Sequence, residues 1–435
     1  MFETIKNAFK VKEIRIKIFI TLGLLLLFRL GSFIPVAGID VTQFKNYFGS
    51  GDQAFNFMNI MNSIVGGALA NGTIFAMGIS PYINASIIIQ LLTVGIPYLE
   101  RLSKEGEDGR KKIAQITRWF TVVLAIVQAV GIILTYDNLI DSSVMGANLD
   151  WLMKIFVIIQ FSAGTALVMW LGERITELGI GNGMSLLIFA GILATAGMSI
   201  SNTVISGING SNPNAWWHLG VFIAIVAVLF ALIVWVDLAE RRIPVQYAKQ
   251  VKGRKMYGGQ SSNIPIKINA SGVLPLIFAF ALLSFPALII GMFNITGGFA
   301  NWVQNYLAPG GWLYTILVSL LILFFAFFYA TIQFNPEEVS RNIQQYGGFI
   351  PGQRPGKPTT DYLRRINNRI TLFGAIFLAL IALVPTLILS LAVPNTPLLN
   401  ALGTTGMLIV VSVALELDKQ LESQIMMKHY KGFLD

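Results

Sequence analysis

Long runs of apolar residues with almost no charge occur along the whole chain. Residues 217–237, for example, read WHLGVFIAIVAVLFALIVWVD, and Asp237 at the end is the only charged residue. A helix needs about 20 predominantly apolar residues to cross the hydrocarbon core of a bilayer. Only 12% of the 435 residues are charged, against about 25% in ordinary soluble domains. The chain is therefore predicted to be an all-α polytopic membrane protein.

Ten such runs predict ten transmembrane helices, so both termini should lie on the same side of the membrane. The predicted spans are residues 17–36, 73–95, 117–136, 151–171, 183–203, 217–237, 270–292, 312–334, 370–392 and 401–418. All but three of the 31 Lys and Arg residues (the exceptions are Arg29, Lys45 and Lys154) fall on the side of the termini. Because cytoplasmic loops are enriched in Lys and Arg, both termini are predicted to be cytoplasmic. The net charge of +9 is then a consequence of topology rather than a sign of nucleic-acid binding.

The content of reactive side chains argues against several classes of site. The chain has no cysteine and two histidines, which excludes disulfides, Cys/His zinc sites and iron–sulfur clusters. No metal, cofactor or catalytic residue is predicted. A membrane-embedded enzyme is disfavoured because the chain is poor in histidine and has no paired carboxylates within the spans. The charges nearest to the span interiors, Arg29, Lys154 and Glu416, are expected to reach toward a membrane interface.

The second span is interrupted by polar residues and turn formers. Residues 72–93 read GTIFAMGISPYINASIIIQLLT, and Pro81 is expected to kink the helix. Ile79 and Ile83 are four residues apart and so share one helix face. Upstream, FMNIMNSIVGGALANG at 57–72 has too short an apolar run to span, which predicts a re-entrant half-helix. Irregular backbone at membrane depth is tolerated only beside protein or water, so these segments indicate a cavity.

Two long cytoplasmic segments, residues 238–269 and 335–369, mix Gly and Pro turns with Arg and Lys. In the first, IPVQYA and RKMYGG around KQVKG predict a hairpin. Both segments could be ordinary positively charged loops, or they could form a docking surface for a partner protein.

The stretch GQRPGKPT is rejected as a phosphate loop. Pro351 occupies the position that needs Gly, and Pro358 occupies the position that needs Ser or Thr.

Several long motifs resemble the SecY family of bacterial protein-translocation channels. They are FRLGSFIPVAGID, SIVGGALANGTIFAMGISPYINASIIIQLLT, GIGNGMSLLIFAGI, RRIPVQYAKQ and FNPEEVSRNIQQYGGFIPGQRPGKPT. The resemblance extends over essentially the whole chain and agrees with the predicted number and orientation of the spans. It implies two inverted five-helix halves, residues 1–205 and 206–435, around a central hourglass pore.

The resemblance also implies roles for individual residues. The pore ring would be formed by Ile79, Ile83, Met184, Ile188, Ile277 and Ile409, with Met184 departing from the family's isoleucine. The segment at about 57–70 would be a plug, with Asn62, Ser63, Ile64, Gly66 and Gly67 as candidate residues. A lateral gate would run between spans two and three on one side and seven and eight on the other, with Gln90, Gln128 and Ser271 as polar candidates. Arg254 and Arg354 would dock a motor protein or the ribosome.

The function implied is the central channel subunit of the secretory translocon in the cytoplasmic membrane. Such a channel passes unfolded preproteins with their signal sequences across the membrane and releases membrane helices laterally into the lipid. The implied partners are SecE, SecG, the SecA ATPase and the ribosome, and the energy would come from a partner or from the proton motive force. The alternative is a secondary transporter of a small solute, since transporters also use broken helices, but these need a polar site at the midplane.

Overall fold

The computed structural model describes most of the chain. The described residues are 2–43, 62, 65–135, 150–210, 213–247, 250–252, 255–257, 261–269, 272, 274–293, 295, 297–307, 312–392 and 404–431. Structural statements below concern these residues. Within them the chain is dominated by helices, with one small group of strands on the segment between residues 240 and 349.

The helices follow the predicted spans closely. They are α1 (Phe2–Lys10), α2 (Lys12–Gly31), α3 (Ser80–Gly95), α4 (Pro97–Lys104), α5 (Glu107–Thr135), α6 (Asp150–Leu178), α7 (Gly183–Ile208), α8 (Ala215–Leu238), α9 (Leu274–Phe293), α10 (Gly298–Tyr306), α11 (Trp312–Gln333), α12 (Pro336–Gln345), α13 (Lys357–Ala392) and α14 (Thr404–Lys431). Six helices in the described part are long and apolar enough to span a bilayer, and α3 with α4, bent by 100°, would make a seventh. A helix lies at each of the ten predicted positions, and the total of ten spans stays a prediction.

The apolar core is divided into clusters that largely follow the two ends of the sequence. One cluster joins α8, α9, α11, α13 and α14 and includes Leu276, Ile322 and Leu408. Two others join α2, the segment at 65–79, α5, α6 and α7. Ile409 of α14 and Ile277 of α9 nevertheless belong to the cluster built on α7. Helices from the N-terminal and C-terminal parts of the sequence therefore contact each other at Ile277 and Ile409.

The second predicted span is only partly helical, and the expected role of Pro81 was wrong. Residues 65–79 form a succession of turns, and α3 begins at Ser80 with Pro81 in its first turn. A proline at that position costs no backbone hydrogen bond and has a φ suited to the helix, so Pro81 starts α3 rather than kinking it. The last residue before the helix is Ile79.

The two long segments that are predicted to be cytoplasmic fold together. Strands β1 (Glu240–Tyr247), β2 (Gln250–Lys252), β3 (Lys255–Tyr257), β4 (Ser261–Lys267) and β5 (Gly348–Phe349) form two antiparallel sheets. In the larger sheet β1 lies between β4 and β5, so the second segment adds a strand to the first. Ile243, Ile266, Ile343 and Leu363 are buried in a common core beneath this sheet.

The predicted hairpin was wrong in its pairing. IPVQY does lie in β1, but its partner is β4, with Ile243 opposite Ile264. KMY forms β3 and pairs with β2, which is QVK. The β2–β3 hairpin is thus an extension between the two longer strands. In β1, Ile243 and Val245 are buried and their neighbours are exposed. One face of β1 therefore packs on the apolar core, and the longer strand β4 pairs with it there, rather than the short strand β3.

Candidate functional site

The six residues predicted for the ring lie in one apolar cluster. Ile79, Ile188 and Ile409 are 4%, 7% and 3% exposed, and Ile83, Met184 and Ile277 pack against them partly buried. They come from the start of α3, from α7, from α9 and from α14. The start of α7 is capped by Asn182, whose Oδ1 accepts from the backbone N–H groups of Met184 and Ser185 at 3.1 and 3.5 Å. None of these six side chains is ionisable.

Met184 differs from the other five in what it contacts. Its Sδ lies 2.5 Å from where a Cβ on Gly172 would be, so the side chain covers α6. Ile192, one turn beyond Ile188 on α7, is 2% exposed and belongs to the same cluster. Its Cγ2 lies 3.0 Å from the Cβ position of Gly406, which is three residues before Ile409. The spacing of four that links Ile79 to Ile83 also links Ile188 to Ile192, and this signal was present in the sequence.

The predicted plug lies partly within the described residues. Asn62, Gly66 and Gly67 are described, whereas Ser63, Ile64 and residues 57–61 lie outside the described part. Asn62 Oδ1 accepts from the backbone N–H of Ala70 at 2.9 Å, which closes a compact turn. Gly66 has a φ of +75°, and a Cβ there would lie 3.1 Å from the Cα of Gly191, so only glycine lets this turn approach α7.

Arg29, which is predicted to reach toward a membrane interface, makes contacts within the protein. Its Nη1 donates to the Gly66 carbonyl at 2.7 Å, and its guanidinium lies 4.8 Å from the ring centre of Phe33. A carbonyl in irregular backbone at membrane depth needs a donor from the protein. Arg29 supplies that donor from α2. No local sequence pattern indicates this contact, because 37 residues separate the two groups.

The structure brings together the four helices of the predicted lateral gate. The Tyr329 hydroxyl of α11 donates to Gln90 Oε1 of α3 at 2.6 Å, and α9 packs against α5. The Phe278 and Tyr329 rings stack with centroids 4.9 Å apart, and Ile87 of α3 joins the same cluster. The seam between α3 and α5 on one side and α9 and α11 on the other is therefore closed in this structure.

The other polar gate candidates have different outcomes. Gln128 lies on α5 with its Oε1 buried and with no hydrogen-bond partner among the described residues. Ser271 lies outside the described residues, so its predicted position stays a prediction.

Arg354 lies on a loop, next to β5 of the larger sheet, that side-chain hydrogen bonds hold in place. The Arg354 side chain is exposed, and its carbonyl accepts from the Thr359 hydroxyl at 2.8 Å. The Ser340 hydroxyl of α12 donates to the Gly356 carbonyl at 3.0 Å, which anchors the same loop. Arg254 lies outside the described residues.

These observations define a class of protein. Several apolar helices surround a buried apolar cluster, a segment of turns is held beside it by Arg29, and the Tyr329–Gln90 hydrogen bond joins two of the helices. An apolar closure flanked by helices can seal a membrane by excluding water, and it provides no group for acid–base chemistry or for specific binding of a polar solute. The class is a multi-pass helical membrane channel.

The chain belongs to the SecY family: a model of that family matches residues 73–417. Among curated relatives, the chain is 45% identical to the protein translocase subunit SecY of Streptomyces scabiei, and the match covers 100% of both chains. It is 46% identical to that of Streptomyces coelicolor, with 100% of both chains covered. It is 40% identical to that of Thermotoga maritima, over 100% of this chain and 98% of the relative.

Solved structures show the same fold at lower identity. A structure described as a protein-conducting channel superposes with a TM-score of 0.66 at 20% identity, covering 94% of this chain and 92% of that one. Sec61 in a canine ribosome–channel complex from the endoplasmic reticulum gives 0.63 at 19% identity with the same coverage. A SecY structure whose plug domain is described as stabilising the closed state gives 0.62 at 21%, again covering 94% and 92%. This chain is therefore a multi-pass channel protein of the SecY family.

Proposed function

We propose that the chain forms the protein-conducting pore of a secretory translocase in the cytoplasmic membrane. Unfolded preproteins would cross through it, and apolar helices would leave it sideways into lipid. The observation that carries this proposal is the apolar cluster at Ile79, Ile188 and Ile409, where α3, α7 and α14 meet. Neither the relatives nor the cluster favours a solute transporter, since such a transporter needs polar groups at the site where the helices meet.

A ring of branched apolar side chains suits a channel that must accept any sequence. Isoleucine is stiff at χ1 and offers no hydrogen bond that would retain a polar segment of the substrate. When no substrate is present, an apolar constriction blocks ions because water leaves it. A signal sequence is itself an apolar helical segment, so it can be recognised by partitioning into the seam between α3 and α11.

The direct test is reconstitution of the chain with its partner subunits in vesicles. We expect ATP-dependent protection of a secretory precursor from external protease when the motor protein is added. Precursor that stays fully degraded, in vesicles containing correctly folded protein, would contradict the proposed function. Saturable uptake of a small solute by the chain alone would favour the transporter instead.

We propose that Ile192, rather than Met184, completes the ring of Ile79, Ile83, Ile188, Ile277 and Ile409. The contact of Met184 with Gly172 supports a role in holding α6 to α7, and the contact of Ile192 with Gly406 supports a position facing α14.

The two positions can be distinguished by matched substitutions to asparagine. Ile192→Asn is expected to raise the ion conductance of the resting channel at least tenfold, because a polar group in the constriction holds water. Met184→Asn is expected to leave conductance near that of the wild type while lowering thermal stability. The measurement is single-channel recording in planar bilayers, with the melting temperature of each purified variant. Higher conductance for Met184→Asn than for Ile192→Asn would restore Met184 to the ring.

We propose that the turn at Gly66 belongs to a plug that closes the pore from outside, with Asn62, Ser63, Ile64 and Gly67 as neighbouring residues. Its support is the contact of Gly66 with α7 and its hydrogen bond from Arg29. The described closure of a related SecY by its plug domain agrees with this role.

The halves at 1–205 and 206–435 are proposed to open about this plug. Gln90, Gln128 and Ser271 are proposed as polar residues of the lateral gate.

The partners proposed are SecE and SecG within the membrane, and the SecA ATPase or the ribosome on the cytoplasmic side. The ribosome is supported by the canine and yeast complexes in which similar channels occur. Energy for translocation would come from these partners or from the proton motive force. The composite sheet of β1, β4 and β5 is the proposed docking surface, with Arg354 and Arg254 as contact residues.

Reversal of charge at Arg354 tests this docking surface. Arg354→Glu is expected to reduce motor-driven translocation by about tenfold, which corresponds to the loss of one charged contact worth ~1.4 kcal/mol. Arg110→Glu changes the net charge equally at another exposed cytoplasmic site and serves as the matched control. Binding of the motor to vesicles, measured by flotation, separates lost docking from lost pore function. Equal binding and transport for the two variants would remove Arg354 from the docking surface.

A further inference from the structure

A polar junction joins three segments at the cytoplasmic ends of the helices. Both carboxylate oxygens of Asp237 accept hydrogen bonds, Oδ1 from Asn269 Nδ2 at 2.7 Å and Oδ2 from the Ser412 hydroxyl at 3.0 Å. Asp237 lies in the last turn of α8, Asn269 lies between β4 and α9, and Ser412 lies on α14. We refer to these three residues as the Asp237 junction.

Without hydrogen-bond partners, a carboxylate would be unfavourable at the position of Asp237. The C-terminal end of a helix carries a partial negative charge, so an acidic side chain there is repelled. The two donated hydrogen bonds compensate for this, and hydrogen bonds to a charged group are stronger than neutral ones. A carboxylate is suited to this place because it accepts from two segments at once.

Asn269 depends on Asp237 for its orientation. The Asn269 side chain is 7% exposed, and its Oδ1 finds no partner in the described part of the chain. Its side-chain hydrogen bond to Asp237 therefore determines which way the amide points. Removal of the carboxylate would leave both ends of a buried amide unpaired, which is a costly arrangement.

The junction is close in sequence to two residues of the proposed ring. Ser412 lies one helical turn beyond Ile409 on α14, a distance of about 4.5 Å along the axis. Asn269 lies on the connection into α9, eight residues before Ile277. Asp237 thus ties the cytoplasmic ends of two ring-bearing segments to a third helix.

A cavity beside the junction provides room for movement. It has a volume of about 590 Å³ and is lined by Asp237, Asn269 and Ser412 together with Lys267, Glu416 and Lys419. Helices that are densely packed on all sides cannot shift independently, whereas α14 has open space on this side. The two hydrogen bonds to Asp237 are then contacts that oppose movement of α14 and of the α9 connection away from α8.

We propose that Asp237 is a positioning residue that keeps Ile277 and Ile409 in the closed ring by joining α8, the entry to α9 and α14. This inference rests on the proposed function, because its consequence for transport requires a pore at the ring. Opening of the channel would require the junction to break or to move as a unit. Asp237 would then contribute to the stringency with which the channel demands a functional signal sequence.

The first experiment measures signal stringency in vesicles containing the full translocase. The measured quantity is the ratio of translocation of a precursor with a defective signal to that of the same precursor with an intact signal. Asp237→Ala is expected to raise this ratio about tenfold, equivalent to ~1.4 kcal/mol in the balance between closed and open states. Ser412→Ala removes one of the two bonds and is expected to raise it about threefold. Asp237→Asn keeps one acceptor and should fall between the wild type and Asp237→Ala.

The matched control is Glu416→Ala, which removes a carboxylate from the same cavity. Glu416 is exposed, and its Oε1 accepts from Gln420 within α14, so it ties no second segment to the helix. Its ratio should equal that of the wild type. If Ser412→Ala and Asp237→Asn fold and also match Glu416→Ala, the proposal is overturned. These two milder variants decide the question even if Asp237→Ala does not fold.

A second measurement does not depend on transport. Because the chain has no cysteine, spin labels can be attached to Leu274→Cys on α9 and Met426→Cys on α14, both of which are exposed. The distance between the labels should broaden in the Asp237→Asn background and remain narrow with Glu416→Ala. Equal distributions would overturn the proposal even in a working channel. Broadening together with a wild-type translocase that moves no precursor would contradict the proposed function and leave the junction supported.

Discussion

Replacing Ile409 by asparagine is expected to make the closed channel leak ions and admit precursors with defective signals. Ile409 is buried where α14 meets α7 and α9, and an amide there would have no partner of its own. An unpaired buried polar group costs roughly 1–3 kcal/mol, so closure should weaken by about tenfold or more. The amide gains hydration when the ring opens, which shifts the balance in that direction. Single-channel conductance and translocation of a signal-defective precursor are the two measurements.

Ile409→Val is the control for this substitution. Valine keeps the branch at Cβ and the apolar character, and it removes a single methylene, so the ring should still close. Its conductance should stay well below that of Ile409→Asn, because Ile→Val costs roughly 0.5–1.5 kcal/mol of stability and places no polar group in the ring to hold water. Unchanged conductance and unchanged signal stringency in Ile409→Asn would show that Ile409 does not line the constriction.

Replacing Gly164 by alanine is expected to destabilise the folded protein strongly, although it adds only one methyl group. A Cβ on Gly164 of α6 would lie only 1.9 Å from the carbonyl oxygen of Ile74, which is backbone and cannot rotate away. Either α6 or the turns at 65–79 must move. Overpacking of this kind costs typically 1–3 kcal/mol, and the rigid partner places this site at about the upper end. The melting temperature of the purified protein should fall by several degrees.

Gly197 of α7 offers the opposite case for the same substitution. Apart from its chain neighbours and the backbone of its own helix, no atom of the described residues lies within 4 Å of the position where its Cβ would be, and its backbone is helical. Alanine has a better helix propensity than glycine by about 1 kcal/mol, so Gly197→Ala should be neutral or stabilising. A fall in melting temperature of equal size in both variants would mean that Gly164 does not pack against the turn at Ile74.

Much of the class could be predicted because the relevant signals are local. A run such as residues 217–237 needs no tertiary partner to indicate a membrane helix. The motif around Ile79 and Ile83 identified the family, and the structure brings those residues together with Ile188, Ile277 and Ile409. In the structure, Asn182 and Asn335 cap α7 and α12 by accepting from backbone N–H groups, a role for which asparagine is favoured.

The error at Pro81 and the open choice between Met184 and Ile192 have a common physical cause. Helical spacing shows which residues share a face, but in a membrane protein both lipid and protein neighbours favour apolar faces. Met184 and Ile192 are both four residues from Ile188, and only the neighbouring helices, with Gly172 on one side and Gly406 on the other, distinguish them. Pro81 was interpreted as a kink because the sequence alone does not show where α3 begins.

The sequence by itself determined the class of protein, the positions of the apolar helices and the family, since these follow from hydropathy and from contiguous motifs. Only the tertiary structure decided the contacts between distant residues. It joined Arg29 to Gly66, Tyr329 to Gln90, β5 to β1, and Asp237 to Asn269 and Ser412. Each of these contacts pairs polar groups from distant parts of the sequence, and the choice of partner depends on which helices and strands lie side by side. That arrangement results from packing of the whole chain, and no local pattern encodes it.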